Sequence, residues 1–90
     1  MKFIWDPKKA EVNQQKHGVT FEEATTALRD ALAATGYDPD HSTDEDRYVT
    51  FGMSEKNRLL VVSHTEEEDI IRIISCRAAK PGERRIYEEG

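Results

Sequence analysis

The sequence predicts an α+β domain, βααβββα in order, with its helices packed on a small antiparallel sheet. Three features carry that prediction. Residues 7–33 show helical spacing and are divided by Gly18-Val19-Thr20. From Tyr48 onward the period changes, and three β-branched runs are separated by short loops, as in an antiparallel meander. The chain has 90 residues, which is enough for one domain with one core, so residues 1–90 form a single unit.

Phe3-Ile4-Trp5 reads as the first strand, ended by Asp6-Pro7. Asp6 suits an N-cap and Pro7 the first helical position, so a helix is expected over 7–17 with Gly18 as its left-handed stop. Its apolar face is thin (Ala10 and Val12, plus lysine stems), so it must rest on another element. Thr20-Phe21-Glu22-Glu23 has the capping-box spacing, and Val19 stands where a staple onto Ala24 would begin. Phe21, Ala24, Ala27, Leu28, Ala31 and Leu32 predict an amphipathic helix over 21–33, ended by Gly36. Tyr48, Val49 and Phe51 predict a strand that Gly52 closes, and Arg58 to Thr65 and Ile70 to Ala78 predict two more. Pro81 then reopens a short helix through Ile86 and Tyr87.

Composition narrows the function. The longest apolar run, Leu59-Leu60-Val61-Val62, has four residues against the ~20 of a membrane span. No charged-then-apolar leader opens the chain, so a cytosolic protein without a membrane partner is expected. One cysteine, Cys76, excludes an internal disulfide and a cysteine-based zinc site. The net charge is −5, but residues 38–46 and 66–69 hold nine carboxylates, which leaves the rest of the chain at +4. A basic face beside two acidic segments fits those numbers, with Arg72, Arg77, Lys80, Arg84 and Arg85 as its densest stretch.

The usual catalytic patterns are missing. Asp38, Asp40, His41, Asp44, Glu45 and Asp46 invite a cation, but the glycine and twelfth-position glutamate of a calcium loop are absent. His17, His41 and His64 are too widely separated for a helical zinc pair, so no metal and no cofactor are expected. Cys76 sits in an apolar strand and reads as packing. Strict alternation along Ile70–Arg77 sends Arg72 and Arg77 to opposite faces unless a bulge intervenes. Arg72, flanked by isoleucines, then needs either a carboxylate or a ligand. His17 closes a helix whose dipole favours a cation, which suits a proton donor. His64 lies between Ser63 and Thr65 on a strand, and Arg47 has Glu45 and Asp46 within reach.

Phe3-Ile4-Trp5-Asp6-Pro7, Asn13 with Lys16-His17-Gly18-Val19, Phe21-Glu22-Glu23-Ala24 and Glu45-x-Arg47 form a series that continues to the C-terminus. Gly52, Leu60-x-Val62-x-His64-Thr65, Arg72-Ile73-Ile74-Ser75 with Arg77, and Glu83-Arg84 with Tyr87 complete it. In order and spacing the set resembles the BrnT family over nearly the whole chain. That resemblance implies a RelE-like fold and a ribonuclease toxin of a type II toxin–antitoxin pair. It also implies a ribbon-helix-helix antitoxin of the BrnA type, a toxin–antitoxin heterotetramer, and DNA contact through the antitoxin alone. Metal-independent RNA cleavage then assigns phosphate stabilisation to Arg72 or Arg77, with Arg47 and Lys16 beside them. It assigns proton transfer to His64 and His17 with Tyr87 in reserve, and RNA contacts to Lys16, Arg84 and Tyr87. The sequence departs from the family at Cys76, at Lys80-Pro81-Gly82 and at the acidic run 66–69. Those departures also allow a weakly active relative that serves only as the antitoxin's partner in operon control.

Overall fold

A computed structural model describes residues 1–89. The elements are β1 (Lys2–Ile4), α1 (Pro7–His17), α2 (Phe21–Leu28), β2 (Ala34–Tyr37), β3 (Tyr48–Met53), β4 (Leu59–Glu67), β5 (Ile70–Ala78) and α3 (Arg84–Glu89). Short 3-10 turns occupy Pro39–His41 and Pro81–Glu83. The α+β class holds, with one strand more than the sequence suggests. The five strands lie in the order β1-β5-β4-β3-β2. β1 runs parallel to β5 and every other pairing is antiparallel.

α1 forms where the sequence places it. Asp6 accepts the Lys8 N–H at 2.9 Å, and Gly18 takes the left-handed conformation at φ 69°. Its support is the free edge of β5. Asn13, buried, presents its amide to Cys76 as a strand would, accepting the Cys76 N–H at 3.0 Å and donating to the Cys76 carbonyl at 2.8 Å. A further bond to the Val19 carbonyl ties in the turn to α2.

α2 ends five residues earlier than its apolar spacing suggests, at Leu28 rather than 33. Asp30 explains the stop. Its carboxylate accepts from the N–H groups of Leu32 and Met53 and from the Tyr87 hydroxyl, which turns the chain back toward the sheet. The next residues then pair with β3 as β2, and Leu32 stays exposed. At the head of α2 Thr20 Oγ accepts the Glu23 N–H, but Glu23 does not complete the reciprocal box. Its carboxylate, 2% exposed, binds Arg58 and the Ser54 hydroxyl instead. The Arg58 guanidinium keeps that carboxyl below the usual range against the opposing effect of burial.

Phe21, Ala24 and Ala27 of α2 pack on Leu60, Val62, Ile73 and Cys76, with Phe3 and Trp5 at the margin. This is the core face of the sheet. The other face remains open over β3, β4 and β5.

Candidate functional site

A β-bulge organises the open face. Ser63 pairs with Ser75, but its neighbour His64 pairs with Ile73, so Ile74 is an extra residue in β5. The bulge resets the alternation that had separated the arginines. Arg72 pairs with Thr65 and Arg77 with Val61, and Val61, Ser63 and Thr65 share one face of β4. Both guanidiniums therefore lie on the face away from the core, while Ile73 and Cys76 both point into it.

Each of these arginines has a carboxylate partner. Arg77 holds Glu83 in a two-pronged pair at 2.7 and 2.8 Å, which pulls the Glu83 carboxyl down to about 2. Arg72 binds Glu45, whose carboxyl is held below its usual range mainly by that contact, with the Arg47 and Lys9 charges adding to it. The Glu45 carboxylate thus pairs with Arg72 and lies 3.8 Å from Arg47.

Arg47 differs from both. Its contact with Glu45 is loose at 3.8 Å, and its Nε is buried without a hydrogen-bond partner among the described residues. It lines a recess of about 270 Å³ with Asp38, His41, Ser63, Ile74 and Ser75. Ser63 and Ser75 also line a larger cleft of about 670 Å³, floored by Val49, Phe51 and Val61 and bounded by Arg77, Glu83 and Ile86. On the far side of the bulge, Lys8, Lys9, Lys16 and His17 of α1 rim a third recess over Ile74 and Ser75. Arg72 sits at the opposite, acidic end, in a recess with Glu45, Asp46, Glu66, Glu67 and Glu68.

Thus Arg47, Arg77, Lys16 and His17 gather around the bulge, and Arg72 shares their face at its acidic margin. His64 lies elsewhere. It is fully buried on the core face, with Nε2 bonded to the Thr50 hydroxyl at 2.7 Å and its ring stacked on Tyr48. Tyr87 donates to Asp30 and so fastens α3 to the end of α2, while exposed Arg84 pairs with Glu88 one turn away. Cys76 is packing, its thiol pushed up to about 12 by burial. Among the described residues no cluster of His, Cys, Asp and Glu suits a metal ion, and no helix is long and apolar enough to cross a membrane. The sequence points to His41 only as a candidate metal ligand, whereas the fold places it in the recess of Arg47. The signal was the Asp38-Pro39-Asp40-His41 spacing, in which one tight turn brings the imidazole back to Asp38.

His64 sets a pH limit on stability. Burial lowers its pKa from the ordinary 6.5, outweighing the Glu66 charge and the Thr65 backbone contact that act the other way. The unfolded chain takes up this proton near 6.5 and the folded chain only at lower pH. The stabilisation is therefore complete above 6.5 and is lost as pH falls through the folded value. The urea midpoint is expected to fall between pH 7.5 and 5, and His64→Gln to flatten that slope, as equilibrium denaturation at a series of pH values would measure.

No curated protein matches the chain. The family model for "Ribonuclease toxin, BrnT, of type II toxin-antitoxin system" matches residues 5–83. A crystal structure of the Brucella abortus ribonuclease toxin BrnT is 26% identical, with a TM-score of 0.64 over 89% of this chain and 97% of that one. With the family pattern spanning the core, the bulge and the arginines of the open face, the chain belongs to the BrnT family of type II ribonuclease toxins.

Proposed function

We propose that the open face around the Ile74 bulge binds and cleaves RNA by metal-independent phosphodiester transfer. Arg47 carries the reading: a guanidinium with a buried, unpartnered Nε in a polar recess is built to meet an anion. Its recess also holds the His41 imidazole and the Asp38 carboxylate. The ammonium groups of Lys8, Lys9 and Lys16 with the His17 imidazole rim the adjoining one, so cationic donors that suit a phosphate outnumber the acid. Arg77 supplies a second guanidinium by exchanging Glu83 for a phosphate oxygen. Lys16 and Arg84 hold the strand on either side, and His17 transfers a proton. Arg72 steers from the margin by the same kind of exchange with Glu45. A positioned charged donor of this kind is worth about 10²–10³-fold in rate. His64 and Tyr87 act in this reading as structural groups, the one beneath the sheet and the other at the root of α3.

The acidic recess beside Arg72 suits a basic segment of the antitoxin, whose class by this reading is ribbon-helix-helix in a heterotetramer. One observation favours a second reading, a docking partner with little catalysis: Arg72 and Arg77 are both already neutralised by carboxylates. Inducing the protein alone in a bacterial host separates the two. Growth arrest with cleaved RNA is expected. Normal growth and intact RNA, together with tight antitoxin binding, would leave only the docking role.

A further inference from the structure

We propose that His41, oriented by Asp38, is a catalytic proton-transfer residue that works with His17 across the Ile74 bulge. This rests on the RNA-cleaving reading and deepens it, because it names a group that the sequence pattern did not assign.

The 3-10 turn Pro39–His41 carries the imidazole back over the residue that opens it, and Nδ1 lies 2.8 Å from the Asp38 carboxylate. A carboxylate can only accept, so Nδ1 bears the proton, and in the neutral ring Nε2 keeps its lone pair. The loop is fixed from below. The Asp38 N–H donates to the Arg47 carbonyl at 2.9 Å, the Ser42 hydroxyl donates to the Asp38 carbonyl, and the Arg47 N–H donates to that hydroxyl at 2.9 Å. The same bonds therefore position His41 and Arg47. The ring itself is accessible, with 68% of the side chain exposed, and it borders both the recess of Arg47 and the larger cleft. The charged and titratable groups sharing its recess and the larger cleft are Asp38, Arg47, Arg77, Glu83 and Tyr37.

His17 borders the neighbouring recess, and the two recesses have Ile74 and Ser75 in common. The two imidazoles thus flank the bulge from opposite sides, with the Arg47 guanidinium in the recess of one. Transfer within RNA needs this number of groups. His41 Nε2 takes the proton from a ribose 2′-hydroxyl, and the 2′-oxygen bonds to the adjacent phosphorus. The bond from phosphorus to the 5′-oxygen breaks, and the departing oxygen keeps the electron pair and takes a proton from the His17 imidazolium. The products are a 2′,3′-cyclic phosphate and a 5′-hydroxyl. Exchange with water restores both rings. Arg47 faces the phosphate oxygens while charge builds on them.

The test uses the full-length protein and an end-labelled RNA oligonucleotide. His41→Gln is expected to lower kcat by about 10²–10⁴-fold with little change in KM or thermal stability. Its pH–rate profile should lack the acidic limb that protonation of the base produces in the parent. Asp38→Asn, which alters a positioning residue, should cause a smaller loss, confined to kcat with KM unchanged. A parent that cleaves, beside a His41→Gln variant that matches its rate and its profile, overturns the proposal while leaving the RNA-cleaving reading intact. A parent that leaves RNA whole overturns both.

Discussion

Arg47→Ala is expected to reduce RNA cleavage by about 10²–10³-fold while the protein becomes no less stable. The two halves of that expectation have one cause. A guanidinium Nε enclosed without a partner is a desolvated donor that folding leaves uncompensated, and removing it relieves that penalty. Its loose contact to Glu45, at 3.8 Å between two part-exposed groups, stabilises little. Arg77→Ala should behave differently. It strands a half-buried Glu83 whose two-pronged partner has gone, so activity and melting temperature fall together. Arg47→Lys is not a rescue, because a lysine has no donor at the Nε position and cannot present a planar fork to a phosphate. Cleavage rates and melting curves of the three variants separate a phosphate-binding role from a structural one. Should Arg47→Ala keep full activity, the phosphate would have to be held elsewhere on the face.

The elements marked by local chemistry were readable from the chain, and those made by distant partners were not. Asp6-Pro7 and Gly18 bracket α1 because caps act through neighbours in sequence. β2 is hidden because Ala31 and Leu32 continue the helical spacing, while the groups that hold Asp30 and so end α2 at Leu28 come from Met53 and Tyr87. The bulge has no local signature, so strict alternation put Arg72 and Arg77 on opposite faces when both lie on one. For His64 the signal was available. Leu60, Val62 and His64 alternate on β4, and a histidine in phase with two core residues belongs with them. His41 was the reverse case, an exposed imidazole in an acidic loop whose meaning came only from the recess beside it.

Gly52→Ala is expected to lower the melting temperature sharply, and with it to weaken both RNA cleavage and antitoxin binding. The sequence suggests that Gly52 ends a strand. It lies instead within β3, paired with Leu60, where the backbone of α2 comes close to the sheet. A Cβ at this position would sit 2.2 Å from the Ala27 carbonyl oxygen and 2.9 Å from its carbon. Both are backbone atoms of a helix, so no side chain can swing aside, and relief requires α2 to lift away from the sheet. That movement separates Ala24 and Ala27 from Leu60 and Val62 and weakens the Glu23–Arg58 pair at the head of the helix. Overpacking a core commonly costs about 1–3 kcal/mol even where side chains adjust. Here the rigid partner pushes the cost beyond that range, against a total stability of about 5–15 kcal/mol for a domain of this kind. Gly36→Ala is the control. An added methyl there meets nothing within 4 Å on an exposed edge strand, so its melting temperature should stay close to the parent's. Circular dichroism melts of the two variants distinguish a close helix–sheet approach from a general need for glycine in these strands. A Gly52→Ala protein that melts like the parent would mean that α2 does not rest on β3.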